Sequence, residues 1–196
     1  MLQRIYIIRH GETEWSLSGN HTGVTDIPLT AQGEEKARAL GKRLRGIKFS
    51  RVFSSPRQRA QRTCVLAGLI PPPVIDPDLA EWNYGNYEGK RTAEIVLTRP
   101  DWNLFRDGCP GGETPAQISA RADRLIQRLR QLEGVIALFS HGHFGRVLAA
   151  RWIALPVLEA QRFILDTASF GILDYEHKNP ASPVIALWNE NSQVEK

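Results

Sequence analysis

The chain has 196 residues, 42% of them hydrophobic and 23% charged, enough to bury a full core without disulfide or metal staples. Its two cysteines, Cys64 and Cys109, stand far apart in neither metal-ligand nor redox spacing, and no run of about 18 apolar residues marks a membrane span. The net charge of +4 comes mostly from arginine, yet the basic residues are scattered and carry no recognition module or aromatic ladder, which argues against nucleic acid and for a small anionic partner.

The apolar run from Arg4 to Ile8 reads as a buried strand. No signal-peptide stretch precedes it, so the expected location is cytoplasmic, with both cysteines as free thiols. Thr30 is placed to N-cap a helix running to about Arg45, with Ala37, Leu40, Leu44 and Ile47 on one face. Arg51 to Ser54 is a second strand. Ser55-Pro56-Arg57-Gln58 after it has the form of a capping box with proline at the first helical position. Pro71-Pro72-Pro73 predicts a stiff connector into a strand at Val74 to Asp76.

Residues 81–113 are the least regular stretch and predict a cap, with short helices around Arg91 to Thr98 and Trp102 to Arg106. Thr114-Pro115-Ala116-Gln117 repeats the capping device and opens a helix with Ile118, Ala122, Leu125, Ile126, Leu129 and Leu132 on one stripe. A strand at Val135 to Ser140 leads through His141-Gly142 into an apolar helix to about Ala154. Strands at Gly171 to Glu176 and Val184 to Trp188 complete the pattern. Strands alternating with helices imply an α/β fold, a three-layer sandwich with a mostly parallel central sheet flanked by helices and a small cap at about 81–113. No repeat, low-complexity segment or linker interrupts it, so residues 1–196 read as one domain.

In parallel α/β sheets, ligands sit outside the carboxyl ends of the strands. His10 and His141 each follow a strand directly, so both are expected at that edge despite their distance in sequence. A lone histidine there is ordinarily a satisfied strand cap. Four features favour chemistry instead: Arg9 beside His10, glycines Gly11 and Gly142 after both histidines, Arg59 on the first turn of the helix opened by Ser55, and Glu81 just after a strand-like run. Together they supply a nucleophile, cations for phosphoryl oxygens and a proton donor.

Arg9-His10-Gly11-Glu12-Thr13-Glu14-Trp15, Thr22-Gly23 before Asp26-Ile27-Pro28-Leu29-Thr30, Ser54-Ser55-Pro56 with Arg59-Ala60, and Ser140-His141-Gly142 occur in the order seen in the histidine phosphatase superfamily, which the chain resembles over nearly its whole length. Trp15-Ser16-Leu17-Ser18-Gly19, Trp82 to Gly89, Arg106 to Cys109 and His141-Gly142-His143 with Arg146 are most similar to its sedoheptulose-1,7-bisphosphatase branch. The resemblance implies that His10 attacks phosphorus, that Arg9, Arg59 and His141 surround the phosphoryl oxygens, and that Glu81 is general acid and base, with no metal or cofactor. It also implies that Gly11, Ser16, Thr22, Gly23 and Gly142 hold the phosphate, Ser16 standing where many relatives have asparagine. Ser55, Tyr84, His143 and Arg146 match substrate-side positions, Arg146 toward a second phosphate. His177 ends a strand and is expected outside the pocket.

The function expected is a metal-independent phosphatase acting on a small phosphorylated metabolite, a sugar phosphate or bisphosphate among the candidates. Two alternatives use the same residues: a cofactor-dependent phosphoglycerate mutase, and a noncatalytic phospho-ligand binding protein. Trp82 and Asn83 stand where mutases carry basic and histidine residues, which favours the phosphatase. A metal-dependent hydrolase built on His141-x-His143 lacks the bridging aspartates such sites use. An exposed edge strand or the apolar helix after His143 offers a contact for a homodimer.

Overall fold

In the computed structural model, which describes residues 3–191, alternation with period two builds the centre of the protein. Six strands, β1 (Arg4–Arg9), β2 (Arg51–Ser54), β3 (Val74–Ile75), β4 (Val135–Ser140), β5 (Phe170–Tyr175) and β6 (Pro183–Glu190), form one sheet in the order β3-β2-β4-β1-β5-β6. The helices are α1 (Glu14–Ser18), α2 (Ala31–Arg43), α3 (Gln58–Ala67), α4 (Thr92–Thr98), α5 (Leu104–Asp107), α6 (Pro115–Leu129) and α7 (Gly142–Trp152). Ile5 and Ile7 of β1 join Ile136 and Leu138 of β4 beneath the apolar faces of α6 and α7. Tyr6, Ile8, Ala137 and Phe139 face the opposite way, onto α2 and α3. One pleat therefore feeds two cores and makes the three layers.

The first four strands are parallel, as expected, and β5 and β6 are antiparallel. The reversal matters for the site. Because β5 runs against β1, its first residues lie at the carboxyl edge of the parallel strands, and the loop entering it is delivered beside His10: Ala168 N–H donates to the His10 carbonyl (3.0 Å) and Arg9 N–H to the Ser169 carbonyl (3.1 Å). By the same reversal β5 carries exposed His177 to the far edge, outside the pocket.

Two predicted helix starts form as expected. Thr30 accepts from Gly33 N–H (2.9 Å), and Thr114 and Gln117 make the reciprocal pair of a capping box. The box predicted at Ser55 does not form: α3 begins at Gln58, whose amide is capped by Asp26 from a distant loop (2.9 Å). A carboxylate is the stronger acceptor for a helix N-terminus, and Ser55 is thereby left for another partner.

The cap predicted at 81–113 does carry short helices, but its aromatic residues continue the main core. Trp82, Tyr84, Trp102 and Phe105 are buried with residues of α6 and α7. Among the described residues no helix is long and apolar enough to cross a membrane.

The loop after β1 is clamped to α2 through a close backbone approach. A Cβ on Gly33 would lie 2.2 Å from the Glu12 carbonyl oxygen, and one on Gly11 would lie 2.5 Å from that of Gly33. Glu12 completes the clamp by accepting from Thr30 (2.9 Å) and Lys36 (3.0 Å), so this glutamate of the histidine motif is an anchor. Gly33→Ala must push the His10 loop off α2. Overpacking of this kind costs about 1–3 kcal/mol, and urea denaturation of the variant is expected to show a lowered midpoint of that size.

Candidate active site

Parallel pairing of β1 with β4 sets Arg9 opposite Ser140, so the residues that follow, His10 and His141, emerge side by side. Their ring centroids are 5.2 Å apart. His10 Nδ1 lies 2.7 Å from the Gly11 carbonyl oxygen, which can only accept, so Nδ1 carries the proton and Nε2 keeps its lone pair. His141 is arranged in the opposite sense. Its Nε2 lies 2.7 Å from Ser55 Oγ, which also accepts from Arg57 N–H (3.2 Å). The Ser55 hydroxyl proton then has one acceptor within reach, His141 Nε2, and the imidazole proton falls on Nδ1.

Burial first, then the charges of Arg59 and Arg9, hold His10 well below the ordinary histidine range; burial and Arg59 do the same to His141. Both rings are neutral near pH 7. Arg59, fully buried, is fixed by the carbonyls of Thr25 and Thr22 (both 2.9 Å) and Gly23 (3.3 Å). Arg9 Nη1 donates to the Leu165 carbonyl (2.6 Å), and its guanidinium packs where a side chain on Gly142 would sit, a Cβ there lying 3.2 Å from Arg9 Cζ. Arg9 Nε, Arg59 Nε and His141 Nδ1 are all buried without a hydrogen-bond partner in the protein. Unpaired buried donors cost about 1–3 kcal/mol each.

Glu81 is held at the start of α7. Its Oε1 accepts from Trp82 N–H (2.9 Å) and Phe144 N–H (2.8 Å), and its Oε2 from His143 N–H (3.0 Å). Oε2 accepts a single bond, which leaves that oxygen a lone pair for a proton.

A cavity of about 300 Å³ opens beside His10, Arg9 and Glu81. Of the predicted residues, Arg9, His10, Ser16, Thr22 and Glu81 line it, as do Tyr84, Gly142, His143 and Arg146. Arg59, His141, Ser55, Gly11 and Gly23 are not among its lining residues, and three of them correct the expected roles. The Gly23 amide donates to Glu88 Oε1 (2.9 Å), so it is not free for phosphate. Gly11 N–H is likewise committed to Thr63 Oγ1 (2.9 Å). Ser55 is fully buried against His141, not on the substrate side. Ser16 lines the cavity, but its hydroxyl donates to the Thr13 carbonyl (2.8 Å) and accepts from Thr13 N–H (2.9 Å) to cap α1. A larger groove of about 710 Å³ along α2 shares Arg9, Ser16 and Asp166 with the cavity but lacks His10 and Glu81.

On the cap side, Tyr84 Oη and His143 Nδ1 share a 2.6 Å hydrogen bond. Burial and the nearby Glu81 raise the Tyr84 phenol well above its ordinary value, while burial and Arg146 lower His143, so both stay uncharged. Arg146 donates to the Ala160 (3.0 Å) and Gln161 (2.8 Å) carbonyls and lies 4.7 Å over the Phe105 ring. His21 and Asp166 also line the cavity and were not legible as site residues. His21 stacks on Tyr84 at 4.7 Å, and its only sequence cue was its place before Thr22-Gly23. Asp166 reaches the site through the antiparallel turn of β5, which no local pattern announces.

Burial pushes the thiols of Cys64 and Cys109 up to about 12, which removes them as nucleophiles. Among the described residues no three His, Cys, Asp or Glu side chains are disposed to hold a metal ion.

Two strand-terminal histidines, buried guanidiniums and a carboxylate come together at one edge of the α/β sheet, an arrangement whose charge suits an anionic ligand. Residues 5–191 match the model of the histidine phosphatase superfamily, branch 1, and the chain belongs to that superfamily. It is 43% identical over 178 residues to an acid phosphatase of Mycobacterium tuberculosis, covering 89% of this chain and 87% of that one. To the sedoheptulose 1,7-bisphosphatase of Saccharomyces cerevisiae it is 36% identical over 248 residues, covering 94% and 92%. The solved structure of a Mycobacterium tuberculosis open reading frame superposes with a TM-score of 0.88 at 39% identity, covering 95% of this chain and 97% of that one. The chain is a phosphoric monoester hydrolase.

The buried histidines give folding a defined pH dependence. Burial lowers His21 from 6.5 to about 4. Above 6.5 both folded and unfolded chains hold it neutral; below 6.5 the unfolded chain takes up a proton that the folded chain refuses, so stability falls until about 4. That shift corresponds to roughly 3 kcal/mol. Urea unfolding across this range is expected to show a falling midpoint, and His21→Asn to show a shallower fall.

Proposed function

We propose that this hydrolase works through a phosphohistidine on His10, with Glu81 as general acid and then general base, and that its substrates are small sugar phosphates or bisphosphates. The observation that carries the reading is the tie from His10 Nδ1 to the Gly11 carbonyl, which aims a neutral Nε2 lone pair from a ring lining the cavity that Glu81 also lines. Nε2 attacks phosphorus as the bond to the leaving oxygen breaks, and the Glu81 carboxylic acid gives that oxygen its proton. The carboxylate left behind takes a proton from water, whose oxygen attacks the phosphohistidine; inorganic phosphate leaves and Nε2 recovers its lone pair. Arg9, Arg59 and the Nδ1–H of His141 meet the charge that develops on the phosphoryl oxygens. None of these steps draws on a metal.

Arg146 supports a second anionic group on the substrate, since it lines the cavity with two of its nitrogens already fixed on carbonyls and its plane fixed on Phe105. Sedoheptulose 1,7-bisphosphatase among the relatives supports the same direction.

Acid-labile phosphate trapped from labelled substrate is expected on wild type and absent from His10→Ala. If both bind substrate and neither turns it over, the protein is a binder. In a screen of phosphomonoesters by phosphate release, sugar bisphosphates are expected above the median, and Arg146→Ala is expected to lower kcat/KM for bisphosphates more than for monophosphates. Faster interconversion of phosphoglycerates than phosphate release, in the presence of 2,3-bisphosphoglycerate, would mark a mutase.

Ser55→Ala frees His141 to take either tautomer. Loss of one neutral hydrogen bond is worth about 1.4 kcal/mol, so kcat is expected to fall about tenfold, with Ser55→Thr retaining more activity than Ser55→Ala.

A further inference from the structure

Arg121 of α6 is not among the residues lining the cavity and carried no motif, yet every N–H of its guanidinium is committed around Glu81. Nη1 donates to the carbonyls of Asp78 (2.9 Å) and Ala80 (2.6 Å), and Nη2 to that of Glu81 itself (3.3 Å). Nε and Nη2 form a fork onto Glu113, each at 2.8 Å. Guanidinium has five donors, and these contacts use all five.

The fork extends the grip to the other side of Glu81. Glu113 Oε2 accepts from Asn83 N–H (2.9 Å), and the Glu113 carbonyl accepts from Trp82 Nε1–H (2.9 Å). The plane of Arg121 also lies 4.3 Å over the ring of Phe144, the residue whose amide donates to Glu81 Oε1. Arg121 thus touches the chain before Glu81, holds the chain after it through Glu113, and packs on one of the residues that receive its carboxylate. No strand ladder supports Glu81, so these polar contacts supply much of the local rigidity.

We propose that Arg121, paired with Glu113, is a positioning residue for proton transfer, fixing the Glu81 carboxyl where it reaches the leaving oxygen. The proposal rests on Glu81 being the general acid. A side chain displaced by about 1 Å can lose about 100-fold in rate, and the loss appears only where a proton is needed at the leaving group.

The test compares kcat/KM on a simple alkyl phosphate, whose alkoxide must be protonated, with that on 4-nitrophenyl phosphate, whose leaving group departs unprotonated. Arg121→Met is expected to lower the alkyl substrate about 100-fold and the nitrophenyl substrate less than about tenfold. Glu81→Gln is expected to show the same selectivity. In the Glu81→Gln background, Arg121→Met is expected to add no more than about twofold on the alkyl substrate, because both changes remove one step. Equal losses on the two substrates, or losses that multiply in the double variant, overturn the proposal and leave Arg121 a staple of α6. If Glu81→Gln itself fails to distinguish the substrates, the acid assignment is what has failed, and the proposal falls with it. If Arg121→Met does not fold, Glu113→Gln, which keeps the volume and removes the charge, decides by the same two comparisons.

Discussion

The parallel register of β1 and β4 is the constraint on which the rest depends. Arg9 opposite Ser140 places two histidines, far apart in sequence, with ring centroids 5.2 Å apart. A shift of one residue would turn every side chain of β1 to the other face and exchange Ile5 and Ile7 with Tyr6 and Ile8 between the two cores. Two differently shaped hydrophobic layers therefore enforce a polar geometry at the strand ends. The packing holds the register, and the register holds the imidazoles.

Burial then acts in one direction on every cation-forming group at the same edge. It strips water from His10 and His141 and keeps them neutral, as their proposed roles of nucleophile and hydrogen-bond donor require. It also lowers the guanidiniums of Arg9 and Arg59, a cost that backbone carbonyls and the nearby Glu81 offset. Charged arginines remain beside neutral histidines because the side chains differ so widely in intrinsic basicity. The same desolvation shifts both, and only the histidines end up uncharged near pH 7.

The elements were legible where the signal was local. The strand runs, the caps at Thr30 and Thr114 and the helix after His141 all stand where the pattern put them. Ser55 was misread because its sequence satisfies the box, while a carboxylate distant in sequence, Asp26, outcompetes it for the helix amides. The amides of Gly23 and Gly11 are withheld from phosphate for a related reason: they are already committed, to Glu88 and to Thr63. Asp166 and Arg121 left no local signal, and His21 only its place before Thr22-Gly23, since each meets the site through residues far from it in sequence.

What the sequence by itself determined is the inventory: two strand-ending histidines with glycines behind them, the arginines, the lone glutamate after a strand, and the alternation that makes an α/β sheet. Those are properties of neighbours in the chain, fixed by backbone sterics and hydrophobic period. Only the tertiary structure decided which nitrogen of each histidine carries its proton, which donors stay unpaired, and what holds Glu81 in place. Each of these follows from a hydrogen bond or a burial, and such contacts exist only once distant segments meet.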